Sequence, residues 1–172
     1  MAKVSVKVEG LEALRVALRE LPIAVQKNVL SGAVRKGAIV IRDDAQARAP
    51  VLREPDPRRK PGTVRDAIRA TRGRRDGSSA TAFVYVRALT KRAVGRFKDA
   101  LRRAGKRVKG ANNPDDPFYW RFLEFGTSKL PARPFLRPAF DARKEAAVAQ
   151  IRDSLKSGIE REVQKVHGRR LW

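Results

Sequence analysis

The run from Ile23 to Arg48 holds no proline and is bracketed by Pro22 and Pro50, and it limits the possible folds more than any other feature. Leu30, Val34, Ala38, Ile41 and Ala45 recur along it at steps of three and four, the spacing of one helix face. Ala49-Pro50 closes the pattern, because the residue before a proline is pushed out of the helical region. Ser31, Gly32, Ala33, Gly37 and Ala38 interrupt the bulk. A glycine inside a helix costs about 1 kcal/mol relative to alanine, so two of them predict close packing against another element.

Around this helix the chain reads as mixed structure. Lys3 to Val8 alternates Val4, Val6 and Val8 with Lys3, Ser5 and Lys7, the period of a half-buried strand. Leu11, Leu14, Leu18 and Leu21 follow at helical spacing up to Pro22. Residues 50–64, with four prolines and Arg58-Arg59-Lys60, predict a basic loop, and 63–68 one helical turn. Residues 69–75 and 81–86 flank Asp76-Gly77-Ser78-Ser79 and predict a hairpin, with Phe83 and Tyr85 expected in the core. Residues 90–110 predict a very basic helix with a narrow stripe of Val94, Phe97 and Leu101. A short helix is expected over 118–125, an irregular stretch over 126–138, and a last helix from about Phe140 with Val148, Ile151, Leu155 and Ile159 buried. The order of elements predicts an α+β fold, a small antiparallel sheet packed by helices that include a long one in the N-terminal half and a C-terminal one. The expectation is one domain over 1–166, with a basic loop at 50–64 and a basic insertion at 89–115, then a flexible tail at 167–172.

Charge comes next. The 172 residues hold 40 Lys and Arg against 18 Asp and Glu, a net charge of +22. Nineteen of the cations and five of the acids fall within 53–110, so the field is concentrated on one face or arm. Arg58, Arg59, Lys60, Arg96, Arg102, Arg103, Lys106 and Arg107 form the candidate basic face. Such a surface suits an acidic partner or sequence-independent contact with a nucleic acid backbone. No apolar run is long enough to cross a membrane, no apolar leader follows Met1, and there is no cysteine; assembly in a reducing cytoplasm fits.

The residues for catalysis are largely missing. His167 is the one histidine, which removes histidine triads and histidine metal sites. Phosphate-binding glycine loops and the Gly-x-Ser-x-Gly nucleophile motif are absent. Asp43-Asp44 and Asp115-Asp116 are the paired carboxylates that a Mg²⁺-dependent nuclease would need. Adjacent positions on a helix point about 100° apart, which prevents Asp43 and Asp44 from sharing a metal easily, and Asp115-Asp116 follow a turn signal. We therefore expect no catalytic, cofactor-binding or metal-binding residues.

Residues 118–140 are the most unusual stretch: Phe, Tyr, Trp and Leu dominate, and Pro131, Pro134 and Pro138 rule out plain helix or central strand. Gly126 would permit a left-handed turn after the short helix. Such a segment either plugs the protein's own core or docks in a neighbour. The run Phe122-Leu123-Glu124-Phe125-Gly126-Thr127, followed by Pro134-Phe135-Leu136-Arg137-Pro138-Ala139-Phe140, resembles the signature of small neck or tail-completion proteins of siphophages. Val8-Glu9-Gly10-Leu11 and Ala45 to Pro50 resemble further marks of that family. The chain departs from it at 61–68 and in the longer, more basic 89–115.

The resemblance implies a non-enzymatic virion protein without cofactor, set in a ring at the head–tail junction, where tail-side rings are generally sixfold. It implies neighbours among the connector, tail-terminator and tail-tube proteins, and DNA passing through the lumen. The expected assembly contact comprises Glu124, Phe125, Gly126, Arg133, Phe135, Leu136, Arg137 and Phe140, with Glu124 bonded to an arginine such as Arg137. The competing expectation is a basic host-type nucleic-acid-binding protein, which the charge favours and the proline-aromatic segment does not.

Overall fold

The computed structural model describes residues 11–19, 21–52, 59–76, 79–108 and 113–168. The strand expected at 3–8 and the Arg58 side of the basic loop lie outside these. Among the described residues the fold is α+β, with six helices and one two-stranded antiparallel sheet. In chain order these are α1 (Leu11–Arg19), α2 (Ile23–Arg48), α3 (Thr63–Ala67), β1 (Ile68–Asp76), β2 (Ser79–Val86), α4 (Lys91–Arg103), α5 (Trp120–Phe125) and α6 (Leu136–Gly168). Two compact units form, one of Met1–Ile41, Ala70–Val84 and Ala142–Trp172, the other of Arg42–Arg69 and Tyr85–Asp141.

In the first unit the packing is done by small residues. Ala33, Gly37 and Ala38 of α2 are buried, and so are Ala147, Ser154, Leu155, Gly158 and Ile159 of α6. A methyl group on Gly37 would stand 2.5 Å from the Ile151 side chain and 2.8 Å from the Ala147 carbonyl oxygen. One on Gly158 would stand 2.8 Å from Val29. The pairing of 37 with 147–151 and of 29 with 158 makes the helices antiparallel at near backbone contact. The close packing expected of the two glycines holds for Gly37 alone, since Gly32 has nothing within 4 Å. Gln26 donates to the carbonyls of Leu21 (2.6 Å) and Arg19 (3.2 Å), meeting acceptors that α1 leaves open at its end.

The second unit has a conventional core of Val64, Ile68, Val86, Pro117, Tyr119, Phe135 and Ala139. The Gln46 side chain donates to the Ile68 carbonyl at 3.1 Å. Around α3 the chain is pinned at both ends: the Arg87 amide donates to Ala67 O (2.9 Å), and Lys60 N–H (3.2 Å) and the Thr63 hydroxyl (3.2 Å) reach Pro114 O. The ends of the basic insertion therefore meet the chain on either side of one short helix.

Three expectations change. Phe83 is 56% exposed and Tyr85 is exposed too, because β2 alternates and turns Ala80, Ala82, Val84 and Val86 inward. On that outward face Phe83 covers Gly73, whose added Cβ would meet its ring at 2.7 Å. The basic helix stops at Arg103, short of 110. Gly105 sits at φ +67°, its N–H bonds Arg102 O, and the Lys106 N–H bonds Leu101 O at 2.9 Å, a Schellman stop. Finally, α6 begins at Leu136, before Phe140. Pro138 falls in its first turn, where a missing N–H costs nothing. The helix also runs through Gly168, into the expected tail; residues 169–172 lie outside those described.

Candidate assembly surface

The segment singled out in the sequence belongs wholly to the second unit. Helix α5 is only six residues long, too short to stand alone. Its end is set by Gly126 at φ +74°, where a Cβ would come 2.9 Å from Ala132 N. A one-pair bridge of Thr127 with Leu130 follows, and the Arg133 N–H returns to Leu123 O at 2.7 Å. The chain then enters α6.

Glu124 closes this loop. It is 7% exposed, and its carboxylate accepts the N–H groups of Phe135 (2.8 Å), Leu136 (3.0 Å) and Arg137 (3.1 Å). These are donors that an α-helix leaves unpaired at its start, where the helix dipole also favours a negative charge. The bond expected between Glu124 and Arg137 exists, but its donor is the backbone amide of Arg137, and the arginine side chain is exposed. Glu124 is thus a cap that ties α5 to α6.

The cap sorts the expected contact residues. Phe135, expected as an assembly contact, is instead fully buried, so it packs its own unit and offers no surface. Glu124 is likewise turned inward. Leu136 is half-buried. Phe125 at 68% exposed, Phe140, Arg133 and Arg137 face solvent. Phe118 and Phe122 are exposed as well, and sequence reasoning left them out. Phe122 and Phe125 are three apart on α5, on the side away from Glu124, a spacing that could have flagged them.

The basic candidates are solvated. No residue of α4 is buried, although Val94, Phe97 and Leu101 are half-covered. Arg96, Arg102, Arg103, Lys106 and Arg107 are exposed, and Thr90 caps the helix by accepting from Ala93 N. Arg59 lies 4.7 Å over the ring of buried Tyr119. Lys60 pairs with Asp115 at 3.4 Å. The end of the basic loop and the end of the basic insertion are thereby held beside α5. Burial lifts the Tyr119 phenol above its usual 10, against the opposing pull of Arg59 and Thr63.

The paired carboxylates are engaged locally. Asp43 pairs with Arg42, Asp44 with Arg48, and Asp115 with Lys60. Among the described residues no group of three His, Cys, Asp or Glu could hold a metal ion, and no helix is long and apolar enough to cross a membrane. A cavity of about 260 Å³ in the first unit has Lys36, Arg72, Arg161, Glu162 and Ser154 among its lining residues. No family model, curated protein or solved structure matches the chain.

Proposed function

We propose that this protein is a non-enzymatic structural component of the head–tail junction of a long-tailed bacteriophage. It completes the tail end or joins it to the DNA-filled head, as one copy in a ring, sixfold by the resemblance, around the DNA channel. Its neighbours are connector, tail-terminator or tail-tube proteins, and its basic segments face acidic protein or the phosphates of channel DNA. The particle is assembled in the host cytoplasm.

One observation carries the reading. The residues that bear the resemblance, Glu124 to Phe140, fold as a single device: a buried carboxylate closes the loop, and aromatic and arginine side chains stand outside it. Rigid, apolar and exposed is what an assembly contact needs, since little freedom is lost on docking. The test is a phage deprived of the protein, viewed by negative-stain microscopy. Full heads and separate tails support the reading, as does a ring of copies about the tail axis in complete particles. Intact infectious particles overturn it.

The second reading, a basic host-type nucleic-acid-binding protein, draws on α4, a cationic helix with nothing buried. Salt-sensitive DNA binding by a monodisperse monomer, with no place in a virion, would favour it.

A further inference from the structure

Residues 118–140 contain Arg121, Lys129, Arg133 and Arg137, and a single acid. That acid is Glu124, buried and occupied by three amides. The outward side of α5 is therefore aromatic and cationic, with no exposed carboxylate along the whole stretch. Phe118, Phe122 and Phe125 are 43%, 48% and 68% exposed. Arg121 lies 5.6 Å over the Trp120 ring.

The second unit around this face is equally one-sided. Its described residues hold nineteen Lys and Arg and eight Asp and Glu. Five of the eight acids, Asp43, Asp44, Asp66, Asp99 and Asp115, are ion-paired with Arg42, Arg48, Arg65, Arg102 and Lys60. Glu124 is the sixth. In the first unit Glu12, Asp153 and Glu162 also have basic partners close by. A second copy docking face to face would set cations against cations, and elsewhere most of its carboxylates among the described residues already have partners.

We infer that the aromatic face of α5 docks into an apolar groove rimmed by carboxylates on a different, acidic protein. The aromatic rings supply the buried anchor, and Arg121, Lys129, Arg133 and Arg137 meet the rim. Duplex DNA would satisfy the cations but offers no apolar surface for exposed phenylalanines; only an unpaired strand could stack on them. This deepens the assembly reading by naming the partner's chemistry, and rests on it only in treating the face as an assembly contact.

The test uses the full chain and three probes. These are a helical peptide with Leu and Phe on one side flanked by Glu, its Glu→Gln counterpart, and an oligo-dT strand. Binding is read by fluorescence anisotropy at physiological ionic strength, for the natural chain, for Phe122→Ser with Phe125→Ser, and for Arg102→Glu with Lys106→Glu at the end of α4 and just past it. The inference expects the acidic peptide to bind at least about tenfold tighter than the Gln peptide, and the phenylalanine pair to lose about tenfold or more with unchanged melting. The Arg102 and Lys106 pair, which is not part of the aromatic face, should change binding less than about threefold. Equal binding of the two peptides, or no loss in the phenylalanine pair, overturns it. So does oligo-dT binding that needs Phe122 and Phe125, or a dimer in sedimentation that the same pair dissolves. Peptide binding can succeed in a protein with no place in a ring, and a ring can be seen where this binding fails, so the two readings fail separately.

Discussion

The carboxylate of Glu124 receives the amide of Phe135 at 2.8 Å across eleven residues of chain, and this bond sets where the longest helix starts. Replacing Glu124 by Ala leaves three helix-start donors and a small cavity. The expected loss is about 2–4 kcal/mol, since bonds to a charged acceptor contribute about 1.5–3 kcal/mol. Glu124→Gln keeps one good acceptor and should lose about half as much. Urea unfolding of the three chains measures it; equal stability of Glu124→Ala and the natural chain would contradict the cap.

Phe135 and Phe125 separate folding from docking. Phe135→Ala should cost about 3–5 kcal/mol of stability, as for a core aromatic. Phe125→Ala, at an exposed position, should stay within about 0.5 kcal/mol yet lower the yield of joined particles. Thermal melting together with a joining assay reads both; the reverse pattern would move the contact to Phe135.

Gly37 and Gly32 answer in opposite directions to the same change. Alanine at position 32 enters open space and should gain up to about 1 kcal/mol from helix propensity. At position 37 it meets a backbone carbonyl and Ile151, and should cost about 1–3 kcal/mol by overpacking. Chemical denaturation of both variants checks the sign.

Tyr119 predicts a pH dependence. Its folded ionisation lies above the usual 10, so on raising the pH the unfolded chain loses this proton first. Its contribution to stability is therefore complete below pH 10 and is lost as pH rises through the higher folded value. In an ultraviolet phenolate titration the latest step should vanish in Tyr119→Phe.

Reversing Arg102, Arg103, Lys106 and Arg107 together to Glu should leave melting within about 1 kcal/mol, because all four side chains are exposed. Joining should be blocked. Normal infectivity would leave these charges with a solubility role only.

Local signals were legible. Pro22 and Pro50 bracketed α2 correctly to the residue, and the Thr81 to Val86 alternation placed β2. Layering was not legible: nothing near Phe83 and Tyr85 says that their side of β2 is the exposed one. Nor was the role of Glu124, since its partners lie eleven to thirteen residues on and are backbone groups, which carry no sequence signature. Gly105 ends α4, yet a glycine inside a basic, helix-favouring run reads the same whether it is tolerated or stops the helix.

The pinning of the chain around α3 has an engineering consequence. Arg87 leaves from Ala67 and Pro114 returns beside Thr63, the two ends of a five-residue helix. Five residues rise about 7.5 Å, a gap that about three linker residues can bridge. The stretch between, with α4 inside it, behaves as a cassette: it can be cut out and replaced by such a linker without removing a fully buried side chain of that helix, or exchanged for a foreign helix of chosen charge.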